Sequence, residues 1–461
     1  MKRNYYLTLA SVAALLLCSS TALRAQINRE DSTKREALSV TIYNDNLGVV
    51  RDVRKFDINN GSSEIKMRDV PAEIDPTTVK ITARNHPKDL VVSEQNYEYD
   101  LVSQQKLLEK YIDHTITVVD DKGIKTEGTL LSLEADKLTI RTASGITMLP
   151  NLTRYTIDVP SLPAGLITQP TLVWRIDASR SLSGEPLEVL YQTHGLNWHA
   201  EYIAALSEDD KSLDLTGWVS LENTSGATYP NAKLKLIAGA VHRAPQQQNY
   251  AKSRAGAFAI SEVELQFAEH AMFEYHVYDL QHPTTLKNNE VKQVSLLEAN
   301  GVASSKHYTY TGGRNVDVTI DFVNTEANHL GMPIPMGKVR VMKRDKDGSL
   351  EFVGEDNVEH TPRDEKITLK VGEAFDLVGT RTATDSRNLG SNSQTETFEI
   401  VLKNRKDENV TIDVLENVGE SWDITKSSMD YEKKSASEII FHVPVKARSE
   451  QTLTYTVIHH W

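Results

Sequence analysis

The chain has 461 residues, 39% of them hydrophobic and 25% charged, with a formal net charge of −13 and a mean hydropathy of −0.40. That length leaves room for about three domains. An acidic chain without a dense basic run is a poor partner for nucleic acid or an anionic membrane face, because its surface repels both.

The chain opens like an export signal. Lys2 and Arg3 form a basic start, residues 7–17 form a short apolar core, and Thr21-Ala22-Leu23-Arg24-Ala25 offers a cleavage site after Ala25. The apolar run is too short to cross roughly 30 Å of hydrocarbon as a helix, so no transmembrane span is expected after cleavage. Cys18, the single cysteine, follows Leu15, Leu16 and Leu17 rather than the small residues of a lipoprotein signal. A mature chain starting at residue 26 then has no thiol for a disulfide, a thiolate metal site or a cysteine nucleophile. Its stability has to come from packed cores.

Residues 26–36 read as a polar lead-in. Alternating runs at 39–43, 47–56, 63–67 and 79–83, separated by Asn44-Asp45-Asn46 and Asn59-Asn60-Gly61, predict a small antiparallel unit. Residues 101–112 carry Leu101, Leu108, Tyr111 and Ile112 at helical spacing, the best helix signal in the chain. Five short strands follow within about fifty residues (115–119, 128–134, 137–141, 146–149 and 155–159), the pattern of a small SH3-like or Sm-like barrel. Beyond Pro160, Pro163 and Pro170, strands at 171–176, 187–192, 198–206 and 213–221 fit one sandwich sheet. The stretch 217–239 holds two alternating runs around Asn223-Thr224-Ser225-Gly226 and Pro230-Asn231.

Residues 241–257 read as a loop. Further strands run from 273–278 to 452–458, with 380–394, poor in apolar residues, expected as a long exposed loop. The fold class is therefore all-β: antiparallel β-sandwich-like domains with a small SH3-like/Sm-like barrel insert preceded by one helix. The expected boundaries are 1–25 for the signal peptide and 26–92 for the N-terminal β region. The helix and barrel insert take 93–165, the central sandwich 166–300 and the C-terminal sandwich 301–461.

Few residues group in a way that carries chemistry. His194, Trp198 and His199 lie together, but residues five apart on a regular strand face opposite sides. The plain alternative is that Trp198 shares a buried face with Ala200 and Tyr202. His276 and His282, with Glu274 and Asp279, form a second loose acid–histidine group. These five residues, His194, Trp198, His199, His276 and His282, are the candidates for facing a ligand. A metal site needs three or four converging ligands, so no metal, cofactor or catalytic residue is assigned. Asp345-Lys346-Asp347-Gly348 fails as a calcium loop, because aligning Gly348 as its sixth residue puts Lys343 first and Gly354 twelfth. It reads as a hairpin turn.

Several segments resemble a family of exported bacterial proteins known only as domain of unknown function 4139. They are Ile42-Tyr43-Asn44-Asp45-Asn46-Leu47-Gly48-Val49-Val50-Arg51, Val70-Pro71-Ala72-Glu73-Ile74-Asp75-Pro76 and Tyr191-Gln192-Thr193-His194-Gly195-Leu196-Asn197-Trp198-His199-Ala200-Glu201-Tyr202. Leu221-Glu222-Asn223-Thr224-Ser225-Gly226 with Asn231-Ala232-Lys233-Leu234 is the most typical passage. Leu402-Lys403-Asn404-Arg405-Lys406 and Glu420-Ser421-Trp422 complete the set. The resemblance implies a β-rich exported protein with no assigned reaction; relatives are sometimes called mucoidy inhibitor homologues, a name that implies an envelope or exopolysaccharide connection. The function expected is that of a non-catalytic structural or interaction protein of the cell envelope, periplasmic or extracellular, touching an envelope protein or polysaccharide. The alternative is a metal-assisted or carboxylate-based hydrolase acting on envelope carbohydrate or peptide, since paired carboxylates need no fixed sequence spacing.

Overall fold

The computed structural model describes residues 35–239 and 267–461. The export signal with Cys18 and the loop expected at 241–257 lie outside the described residues. Alternation, turn residues and register produce the following strands. They are β1 (Arg35–Tyr43), β2 (Leu47–Ile58), β3 (Gly61–Arg68), β4 (Ile74–Ala83) and β5 (Leu90–Glu98), then helix α1 (Gln104–Lys110). Next come β6 (Thr115–Val119), β7 (Lys125–Glu134), β8 (Lys137–Thr142), β9 (Gly145–Leu149) and β10 (Thr156–Asp158). The middle of the chain supplies β11 (Thr171–Ala178), β12 (Leu182–Thr193), β13 (Leu196–Leu206), β14 (Ser212–Asn223) and β15 (Tyr229–Ala238). Then follow β16 (Phe267–Met272), β17 (Tyr275–Leu280), β18 (Thr284–Leu286), β19 (Glu290–Tyr310), β20 (Asn315–Val323), β21 (Gly337–Arg344) and β22 (Leu350–Val358). The last are β23 (Lys366–Asn388), β24 (Ser393–Asn404), β25 (Val410–Asn417), β26 (Trp422–Ser427), β27 (Glu432–Lys433), β28 (Glu438–Val445) and β29 (Glu450–His460).

The fold is all-β, as the alternation predicts. One sheet runs β16-β17-β15-β1-β2-β12-β4, with β18 beside β15. A second runs β22-β21-β13-β14-β19-β20-β23-β24-β29-β26, and β25, β28 and β27 join it through β19. A three-stranded sheet, β3-β11-β5, completes the N-terminal part. Most pairs are antiparallel, but β1–β15, β13–β21 and β19–β25 are parallel. The first strands therefore pair with residues far along the chain: β2 with β12, β3 with β11 and β1 with β15.

Helix α1 starts at Ser103, whose hydroxyl accepts from the backbone N–H of Lys106 at 3.2 Å. It is shorter than the 101–112 pattern because Leu101 is held in a bridge to Ile167 and the backbone turns left-handed at Asp113. The five strands behind it run β10-β6-β7-β8-β9. The last returns beside the first, and among the described residues β9 has no partner on its outer side, so the sheet is open rather than a closed barrel.

The expected exposed loop at 380–394 is instead a hairpin arm. Strand β23 continues to Asn388, and Thr380, Thr382 and Asp385 pair with Val401, Glu399 and Thr397 of β24. The alternating Thr380, Thr382 and Thr384 are β-branched, so the backbone holds a strand with no apolar face of its own.

Three cores result. The largest runs from Leu38 to Leu369 and holds Trp174 and Trp198; the second, Tyr308 to Val457, contains Phe441 and Tyr455; the third, Leu108 to Ile140, sits under the small sheet. Strand β19 runs from the first core into the second, since Val302 belongs to one and Tyr308 to the other.

Candidate functional site

Four of the segments that carry the resemblance meet at one joint between the two large sheets. The amide of Asn44 donates to Trp198 O at 3.0 Å, and Gly195 N–H donates to Asn46 Oδ1 at 2.8 Å. Glu73 N–H donates to Ser225 O, His194 N–H to Glu73 O, and Thr224 N–H to Gly195 O. Gly195 has φ of +77°, and a Cβ there would lie 2.6 Å from the backbone of Ser225, so both conformation and space require glycine.

Asn223 is the centre of this joint and is fully buried. Its amide donates to Ala227 O (2.8 Å) and Lys287 O (2.9 Å), while its Oδ1 accepts from the N–H (3.1 Å) and hydroxyl (2.8 Å) of Ser225. Asn404 repeats the device in the second core. It donates to Glu408 O and Lys446 O and accepts from Lys406 N–H. Leu221-Glu222-Asn223 and Leu402-Lys403-Asn404 are thus the same strand-ending turn used twice. A repeat search at a fixed period misses it, because only the turn recurs. The chemistry of the joint is backbone satisfaction; the Ser225 hydroxyl is spent on Asn223 Oδ1, and no paired carboxylates take part.

The ligand candidates do not converge there. His194 contributes its backbone to the joint. Trp198 is a core side chain, 1% exposed, donating its indole N–H to Ile237 O at 3.2 Å and lying 6.2 Å from the Tyr278 ring. His199 points out and lies 3.7 Å from Glu201. His276 is on β17, 2.8 Å from Glu269, and His282 is exposed between β17 and β18. Near His276 sits His360, absent from the sequence reading; burial holds its pKa down, with Glu359 opposing and His276 adding to the effect. Among the described residues no three His, Asp or Glu side chains converge to hold a metal ion.

A line of alternating acids and histidines lies elsewhere, as a stripe across β20, β19, β25, β28 and β27. Asp321 lies 3.5 Å from His307 Nε2, and His307 Nδ1 lies 3.7 Å from Asp413. The other oxygen of Asp413 is 2.6 Å from His442 Nδ1, and His442 Nε2 is 3.7 Å from Glu432. Ser305 Oγ is 3.0 Å from His307 Nε2. A cavity of about 480 Å³ adjoins the stripe, lined by His307, Asp413, His442 and Lys306 among others. Sequence spacing could not reveal this group, because its members are neighbours only through the ladders.

The hydrogen bond that His442 donates to Asp413 holds the His442 pKa above its ordinary value, against a smaller effect of burial and with Glu432 adding. A raised folded-state pKa means that this pair stabilises the fold fully below the unfolded value of about 6.5, and that the contribution is lost as pH rises through the folded pKa. An NMR titration should show His442 losing its proton at higher pH than a free histidine. Asp413→Asn should bring that midpoint down; an unchanged midpoint would refute the pairing.

Comparison with known proteins matches residues 187–460, more than half of the chain, to a family model described as a domain of unknown function, DUF4139. No curated protein matches.

Proposed function

The chain belongs to the DUF4139 family, whose description carries no reaction, and on that premise we propose that it is an exported, non-catalytic structural or interaction protein of the bacterial cell envelope. The observation that carries this reading is the placement of its exposed apolar side chains. Strand β9 ends the small sheet with an unpaired edge and bears Ile146 and Met148, the latter 77% exposed. Its sequence, Gly145-Ile146-Thr147-Met148-Leu149, has no charge or proline to discourage pairing. At the far edge of the large sheet, β22 exposes Leu350, Phe352 and Val353. Strand β23 lies against β22, with Asp356 accepting from Lys370 N–H at 2.7 Å, and carries Phe375, 96% exposed. Apolar side chains left exposed in this way are what a second molecule covers. The basic start, short apolar core and Ala25 cleavage pattern support export, and either an envelope protein or a polysaccharide suits the reading.

A hydrolase is the second reading, favoured by the Ser305–His307–Asp413 sequence of contacts. Against it, Ser305 lies in the ladder opposite Asp321, and acyl transfer needs free donors where the oxyanion forms. A photo-crosslinking residue at Met148 and at Phe375 should yield discrete adducts in the envelope fraction of growing cells. No adduct at either position would refute the interaction reading. Labelling by a serine-directed fluorophosphonate that disappears in Ser305→Ala would replace it with the hydrolase.

A further inference from the structure

At the outer end of the large sheet, four strands place a row of side chains opposite one another. Asp385 of β23 faces Thr397 of β24 across the ladder, Thr397 faces Thr456 of β29, and Thr456 faces Lys426 of β26. These residues, Arg387 and further Thr and Ser hydroxyls line a cavity of about 610 Å³. Threonine on a sheet face needs no ligand to explain it. The hollow, and the charge left over within it, offer a place for one.

The Thr397 and Thr456 hydroxyl oxygens lie 3.0 Å apart. One O–H is used between them, which leaves the other O–H and spare lone pairs for a ligand. Tyr455, the one aromatic residue in the lining, commits its phenol to the buried Glu416. Its ring is 1% exposed and packed in the second core, so stacking on it is not on offer; hydrogen bonds and charge are. Asp385 and Arg387 neutralise each other at 2.9 Å. Lys426 has no carboxylate partner among the described residues, and Glu399, the next outward residue after Thr397 on β24, does not line the cavity. The lining thus has two cations against one carboxylate, in a chain that is acidic overall.

We propose that this cavity binds an acidic saccharide, with a uronic-acid carboxylate on Lys426 and ring hydroxyls on Thr397 and Thr456. The proposal rests on the interaction reading above and names the chemistry of one partner. A polyhydroxylated anion matches both the hydroxyl floor and the unpaired ammonium; an apolar or cationic ligand matches neither.

The test is calorimetric titration of the mature chain with trigalacturonic acid, and with the neutral galactose trimer as comparison. The acidic trimer should bind more tightly than the neutral one, and added salt should weaken it. Lys426→Gln should weaken the acidic trimer about ten-fold, the scale of one charge-assisted hydrogen bond, and erase the preference for it. Thr397→Val, which keeps the shape, should weaken both sugars. Lys122→Gln, an exposed position outside the cavity, should change neither. No binding of the acidic trimer while the Met148 and Phe375 crosslinks persist overturns the saccharide site and leaves the interaction reading standing. Equal binding by wild type, Lys426→Gln and Thr397→Val overturns the site as well.

Discussion

Asp52→Ala should destabilise the chain by about 3–5 kcal/mol, the cost of removing one partner of a buried ion pair. Asp52 and Arg54 are both 1% exposed and lie on one face of β2. The Asp52 carboxylate accepts from Arg54 Nε (3.1 Å) and Nη2 (2.7 Å) and from Arg35 Nε (3.1 Å), while Arg54 Nη1 donates to Arg68 O. Burial alone would lower the Arg54 pKa; the charge and hydrogen bonds of Asp52 outweigh it, so the net shift is upward. Without Asp52 the buried Arg54 guanidinium loses its hydrogen-bonded carboxylate, and Arg35 keeps only a 3.7 Å contact with Asp69. Urea unfolding followed by tryptophan fluorescence reads this, since Trp174 and Trp198 lie in the same core. The double variant Asp52→Leu/Arg54→Met should recover most of the loss, because well-packed apolar residues often replace such a pair without penalty. A loss under about 1 kcal/mol in Asp52→Ala would show that water reaches the pair.

Asn223→Ala should cost about 2–6 kcal/mol. The side chain satisfies two buried groups, the carbonyl of Ala227 and the N–H of Ser225, and bonds the part-buried carbonyl of Lys287 as well. Each orphaned buried group costs about 1–3 kcal/mol. The same change at Asn404 should act on the second core, against which Trp422 packs, rather than on the first. Asn223→Asp is the sharper comparison. It keeps the acceptor for Ser225 but replaces the donor to Ala227 and Lys287 with a second oxygen, so it should be at least as damaging as alanine. Wild-type stability in Asn223→Asp would refute the role assigned to that amide.

The resemblance segments acquire a physical meaning from this joint. Asn44, Asn46, Glu73, Gly195 and Asn223 are dispersed over about 180 residues of sequence, yet their hydrogen bonds close one junction between sheets. Their shared task is to satisfy backbone groups where two sheets turn into each other, which is a folding requirement rather than a catalytic one. His194, a ligand candidate by residue type, is there for its backbone.

Strand identity and face were legible without coordinates, because a period of two is written into each strand separately. Trp198, Ala200 and Tyr202 turn inward and His199 outward, as their alternation implies, and the Asp347-Gly348 hairpin sits between β21 and β22. The small five-stranded unit is local as well. At 380–394, low apolar content pointed to a loop, but ladder hydrogen bonds to β24 hold the strand without a buried face of its own. Which strands pair was decided only by the tertiary structure. The parallel contacts β1–β15, β13–β21 and β19–β25 join segments more than 90 residues apart. The acid–histidine stripe from Asp321 to Glu432 and the row from Asp385 to Lys426 exist only through such pairing. In a helix, neighbours on one face recur every three or four residues and can be read from the sequence. Across a sheet, the neighbour of a side chain lies on another strand at a distance set by topology, so a β protein spells out its strands in sequence and leaves its sites to the fold.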